Sequence, residues 1–163
     1  MDPITEFVFN MRNEFLISAS RLIDNEFLFV LLVAIALLLG EKRNSKRLKV
    51  FLAIAVALAS GFAIKNVYAI ERPCVGLSLD YCPSSYSFPS LHAIVVFTLM
   101  IGFLNKPSFI LYFVFALLIS FSRLLLGVHA FRDIAAALPV AIIVYYVVDV
   151  IWVNYCEKIW KGN

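Results

Sequence analysis

Charged residues are scarce in this 163-residue chain, where Asp, Glu, Lys and Arg make up 15%. An ordinary soluble domain carries roughly 25%. Cysteine is scarce too: three residues allow at most one intramolecular pair, which excludes a disulfide scaffold. The net charge of +3 is small and spread out, so no nucleic-acid partner is expected. No internal repeat, low-complexity tract or polar second domain is present. No basic stretch precedes an apolar one at the start, so no cleavable signal peptide is expected. Apolar residues fill the chain instead, at 63%, more than one aqueous core of this size can bury. The composition predicts an all-α, polytopic membrane helix bundle forming one domain over 1–163.

A spanning helix needs roughly 20 mainly apolar residues. Segments 25–40, 48–65, 108–126 and 134–153 approach that length, and 90–104 is a shorter fifth. Over 1–24, Ile4, Val8, Met11, Phe15, Ala19 and Leu22 recur at steps of three and four. That pattern predicts one amphipathic helix lying in the membrane interface. Phe7, Phe9, Leu16 and Ile17 blur its polar face, so a sixth span is the alternative. Residues 41–49 read as a basic loop, 105–107 as a tight turn and 131–133 as the link between the last two spans. The longest connection is 71–88.

Alternating spans place Lys42, Arg43, Lys46, Arg47, Lys49, Lys106, Lys158 and Lys161 on one membrane face. The positive-inside bias makes that face cytoplasmic. Trp152, Tyr155 and Trp160 fit an aromatic belt at its boundary. Asp149, near the inner end of the last span, is expected to bond a neighbour or reach water.

Ionisable residues also stand at the ends of apolar runs, where burial in lipid costs roughly 2.5–3.5 kcal/mol at a helix centre and less near the interface. Lys65 and Arg72 lie where the second span exits, and Ser90 and His92 where the third enters. Arg123 lies where the fourth exits, and His129 and Asp133 where the fifth begins. All emerge on the face opposite the basic loops, and both histidines of the chain are among them. Arg forks and a Lys ammonium match phosphate oxygens. If one helix covers His129 and Asp133, four apart, they share its face. The carboxylate can then fix the imidazole tautomer and free the other ring nitrogen to attack. His92, on another span, can protonate a leaving oxygen.

These residues carry a resemblance. Lys65 through Arg72 and Pro73 fits K-x6-RP; Pro89-Ser90-Leu91-His92 fits PSGH except at one place; Ser122-Arg123 through His129 to Asp133 fits SR-x5-H-x3-D. Over about 48–153 the chain resembles the type 2 phosphatidic acid phosphatase family, whose fold is shared with vanadate-dependent haloperoxidases. The resemblance implies a metal-independent phosphatase, without cofactor, working through a phosphohistidine. It implies that His129 is the nucleophile, Asp133 its orienter and His92 the acid. Lys65, Arg72, Ser90, Arg123 and the N–H of Leu91 would bind phosphate. Leu91 departs from the family's Gly; it has fewer backbone conformations and adds bulk beside the pocket.

The chain has almost no extramembrane body, so the expected substrate is a membrane lipid with a terminal phosphate or pyrophosphate, entering sideways from the bilayer. Polyprenyl pyrophosphates of the undecaprenyl or dolichyl type come first, then phosphatidylglycerophosphate and phosphatidic acid. The alternatives are a small-molecule phosphatase, a divalent metal site on His92, His129 and Asp133 (which the surrounding cations would disfavour), and a non-catalytic phospholipid-binding or transport protein. Cys74 and Cys82 share the outward loop, where an oxidising exterior would permit a disulfide. The sequence does not specify an oligomeric state.

Overall fold

The structure, a computed structural model, describes residues 1–77 and 79–156. Those residues form helices and connections, with no strand among them. Two short helices come first, α1 (Pro3–Asn10) and α2 (Glu14–Asp24), followed by α3 (Glu26–Gly40) and the long α4 (Asn44–Tyr68). A four-residue turn of helix, α5 (Pro73–Gly76), lies in the long connection. The chain continues through α6 (Leu91–Gly102), α7 (Phe109–Leu125) and α8 (Phe131–Ile151), and α8 runs on into a π-helical turn over Trp152–Cys156.

α4 has 25 residues and the combined helix Phe131–Cys156 has 26, and both are long and apolar enough to cross a membrane. At 1.5 Å per residue each exceeds a hydrocarbon layer of about 30 Å. α2 and α3 pass the same test as a pair, bent by 75° at their junction. α6 and α7 are apolar but shorter, at 12 and 17 residues. The outer surface is itself apolar: Phe27, Leu39, Phe62, Val67, Leu111 and Ile143 are all well exposed. An apolar exterior around helices that satisfy their own backbone groups is the form a bilayer demands. This is a helical membrane protein.

α6 is the central post. Ala93, Ile94, Val96 and Leu99 on it are fully buried, and it packs against α4, α7 and α8. The α4 contact is close because Gly61 has no side chain. A Cβ there would stand 2.4 Å from Ile94 Cδ1 and 2.9 Å from Leu91 Cδ2.

Several expected boundaries move. The single amphipathic helix over 1–24 is two helices. Asp2 caps the first through Thr5 N–H and Asn13 caps the second through Leu16 N–H, so local side-chain bonds compete with a continuous helix. The basic loop is shorter than 41–49, because α4 already starts at Asn44. Residues 131–133 are not a connection but the first turn of α8, and the link between α7 and α8 is 126–130. Trp152 is buried at 5% exposure instead of facing outward, whereas Tyr155 is exposed. Trp160, Lys158 and Lys161 lie outside the described residues. Asp149 does bond a neighbour, the ammonium of Lys49 at 2.5 Å.

Candidate active site

At the end of the bundle away from the basic loop, a cavity of about 210 Å³ is lined by Lys65, Arg72, Leu91, His92, Arg123 and His129. Five separate stretches of chain supply these residues. Asp24, Glu26, Pro83 and Ser85 complete the lining.

Lys65, buried in the last turn of α4, donates to the carbonyls of Tyr86 at 2.5 Å and Ser87 at 3.3 Å. Arg72, just before α5, donates to the Ser85 carbonyl at 2.7 Å, the Ser85 hydroxyl at 2.9 Å and the Val128 carbonyl at 2.9 Å. None of these acceptors is a carboxylate. The two cations are oriented by neutral oxygens and keep their charge.

His129 lies on the connection before α8 and Asp133 in its first turn, so one helix does not cover both. Asp133 nevertheless reaches it: Oδ2 is 3.4 Å from His129 Nδ1. Asp133 Oδ2 also accepts the Ala130 N–H at 2.8 Å and the Ser87 hydroxyl. The carboxylate therefore caps α8 as it faces the imidazole. Gly127, at φ +68° two residues before His129, permits the reversal that turns the chain from α7 into α8.

The tautomer follows from the partners. Arg72 Nη1 lies 3.2 Å from His129 Nε2, and a guanidinium can only donate. Nε2 thus carries the lone pair, and the proton sits on Nδ1, toward Asp133 and Ser87. Burial, the largest influence, pushes the His129 imidazole down to about 4; Asp133 pulls it back, and Arg72 and Lys65 push it further down. The ring is neutral at pH 7 with Nε2 available.

Ser90 N-caps α6 and is fully buried. Its N–H donates to the Asp133 carbonyl at 3.1 Å, while its hydroxyl has no partner among the described residues. The free N–H groups of the first α6 turn, that of Leu91 among them, lie at the positive end of the helix. His92 Nε2 is buried and also without a partner among the described residues. Its ring packs on Phe29 with centroids 4.3 Å apart. Arg123 is 1% exposed, with Nη1 against the Asp24 carboxylate and Nη2 unpartnered among the described residues.

Six of the eight residues expected at the site thus line one cavity, while Asp133 stands behind His129 and Ser90 bonds the Asp133 carbonyl. Cys74, two residues beyond Arg72, is disulfide-bonded to Cys82 further along the loop. Two contributors carried no signal in the sequence. Ser87 is one Ser among several in a polar loop, and Asp24 reads as an ordinary helix-end acid. A second cavity, about 610 Å³ and almost wholly apolar, runs between α3, α4 and α6 past Val33, Leu37, Ile54 and Leu58. It shares Leu91, His92 and Glu26 with the polar one.

A bundle of membrane helices closed at one end by a cationic, two-histidine pocket defines the class, and comparison with known proteins narrows it. Residues 69–156, more than half of the chain, match the PAP2 superfamily, and the chain belongs to that family. YbjG of Escherichia coli (strain K12) is 30% identical over 120 residues, covering 70% of this chain and 61% of that protein. The undecaprenyl-diphosphatase of Sulfolobus acidocaldarius is 34% identical over 116 residues, covering 66% and 56%. The chain therefore spans less than two thirds of the length of both curated relatives. Two crystal structures share the fold at 20% identity. LpxE of Aquifex aeolicus has a TM-score of 0.69, covering 89% of this chain and 92% of that one. The first transmembrane PAP2 type phosphatidylglycerolphosphate phosphatase from Bacillus subtilis has a TM-score of 0.67, covering 96% and 84%.

Proposed function

We propose that this protein is a metal-independent membrane lipid phosphatase that removes a terminal phosphate from a polyprenyl pyrophosphate through a phosphohistidine. The observation that carries the reading is the junction of the two cavities. A cationic pocket lined by both histidines and an apolar groove between α3, α4 and α6 share Glu26, Leu91 and His92 as walls. A substrate that fills both has an anionic head and a hydrocarbon tail.

The terminal phosphate sits among Lys65, Arg72, Arg123, the Ser90 hydroxyl and the Leu91 N–H. His129 Nε2 attacks phosphorus in line. The N–P bond forms as the P–O bond to the lipid breaks, and His92 Nε2 gives its proton to the departing oxygen. Asp133 and Ser87 hold the Nδ1 proton and the charge that develops on the ring. Water then attacks the phosphohistidine, His92 takes a proton from it, and inorganic phosphate leaves with His129 neutral again. Positioning and charge stabilisation carry most of the acceleration.

The undecaprenyl-diphosphatase relative supports a polyprenyl tail on a diphosphate head. The apolar groove that shares Leu91 and His92 with the pocket supports a hydrocarbon tail. Phosphatidylglycerophosphate is the second reading, supported by the Bacillus subtilis neighbour. In the bilayer, α3, α4, α6, α7 and α8 make five crossings, with the pocket extracytoplasmic and the basic loop inside. The decisive experiment measures phosphate release in EDTA from undecaprenyl pyrophosphate, phosphatidylglycerophosphate and phosphatidic acid in matched detergent. Turnover highest on the polyprenyl substrate, and blocked by vanadate, is expected. A strict divalent-cation requirement removes the histidine mechanism; a higher kcat/KM on another lipid removes the substrate assignment.

A further inference from the structure

Asp24, like Glu26, places a carboxylate at a pocket whose three cations suit an anion. Asp24 ends α2, at the 75° bend into α3. It lines the same cavity as Lys65, Arg72, His92, Arg123 and His129. Its carboxylate bonds Arg123 Nη1, although the two residues are 99 apart in sequence. The pairing is asymmetric: Arg123 is 1% exposed and Asp24 is 29% exposed. Arg123 has a second donor, Nη2, buried with no partner among the described residues. The other two pocket cations rest on carbonyl and hydroxyl oxygens.

We propose that Asp24 is the resident counter-ion of the pocket, a carboxylate that neutralises Arg123 when no phosphate is bound and that the substrate phosphate must displace. A guanidinium has several donors, so an incoming phosphate can engage the free Nη2 while Nη1 still holds Asp24. Two anions on the same buried cation repel each other. The bend supplies the means of movement. Asn25, the residue after Asp24, is extended and already caps α3 by accepting the Leu28 N–H at 3.0 Å. Rotation at 24–25 swings Asp24 outward with α3 intact. After hydrolysis the same carboxylate competes with inorganic phosphate for Arg123 and speeds its release. Asp24 thus acts through Arg123 as a positioning residue that sets anion affinity.

The proposal rests on the pocket being a phosphate site, and it makes a prediction of sign. A prop for Arg123 would weaken anion binding when removed; a competitor would strengthen it. The test is direct titration of the full chain in detergent with inorganic phosphate and with orthovanadate, followed by calorimetry. Asp24→Asn is expected to bind both about tenfold more tightly than wild type, a difference of about 1.4 kcal/mol, with lower KM and stronger product inhibition. Asp24→Glu is expected to stay near wild type. Should Asp24→Asn fail to give a monodisperse protein, Asp24→Ser asks the same question. Unchanged or weaker anion binding in a folded neutral variant, beside clear binding in wild type, overturns the counter-ion role alone. No anion binding in wild type overturns both this role and the phosphatase reading.

Discussion

The two polar ends of the bundle hold their cations differently. At the basic-loop end, Lys49 pairs with Asp149 at 2.5 Å and Lys106 with Glu41 at 3.0 Å. At the pocket end, Lys65 and Arg72 are held by carbonyls and a hydroxyl. A carboxylate neutralises the cation it orients, and a carbonyl orients it without doing so. At the first end Lys49 and Lys106 are neutralised, and Arg47 rests on the carbonyls of Leu38 and Glu41. At the second, among the described residues, no carboxylate touches Lys65 or Arg72, and the Ser90 hydroxyl and Arg123 Nη2 have no partner, an arrangement that suits an anion. Arg123 with Asp24 is the exception at the pocket end, and it is the contact that has to open.

The contrast can be broken most severely at the nucleophile. His129→Ala is expected to lower kcat by at least about 10³-fold while thermal stability changes little, measured by phosphate release and differential scanning fluorimetry. Lys49→Met at the opposite end should do the reverse, losing stability and keeping turnover. Arg72→Lys comes next. It keeps the charge and loses the fork that serves Ser85, Val128 and His129 together, so kcat/KM should fall on the order of 100-fold; a value near wild type would reduce Arg72 to a point charge. Ser87→Ala removes one of the donors on Asp133 and should cost about ten- to a hundredfold in kcat with KM unchanged, in line with a lost hydrogen bond to a charged group of about 1.5–3 kcal/mol. The pH profiles sharpen the comparison further. His129 is lowered to about 4, so its protonation should end activity near that pH and not near 6.5, as read from kcat/KM.

The smallest effect belongs to the basic end. Burial alone would raise the Glu41 carboxyl, but the Arg43 N–H and the nearby Lys106 and Arg43 charges outweigh it and hold the group at about 2. A carboxyl lowered on folding stabilises the protein above its unfolded value of about 4.5, and that stabilisation is lost as pH falls toward 2. The wild-type Tm should drop over that window more than the Tm of Glu41→Gln does.

Much of the pocket was legible because its residues sit where apolar runs end, and the parity of spans brings such ends to one side. Lys65, Arg72, Ser90, His92, Arg123, His129 and Asp133 all followed from that counting. The pairing of His129 with Asp133 was also legible, though for a different geometric reason than helical spacing: the carboxylate turns back from the first turn of α8 to the loop before it. Asp24 was not legible, because its role depends on docking an N-terminal bend against a helix a hundred residues away. Ser87 was hidden among loop serines whose positions no periodicity sets. The break between α1 and α2 was missed because an apolar stripe at helical steps is indifferent to the capping side chains that interrupt it.

The ring of His92 leans on Phe29, and Phe29 is also a wall of the apolar groove. Under the proposed chemistry, the group that must deliver a proton is braced from behind by whatever fills that groove. A tailless phosphate ester would reach the cations yet leave this brace slack, so the protein would sense the presence of a hydrocarbon chain through the aim of an imidazole, and soluble metabolites drifting past the membrane would be spared.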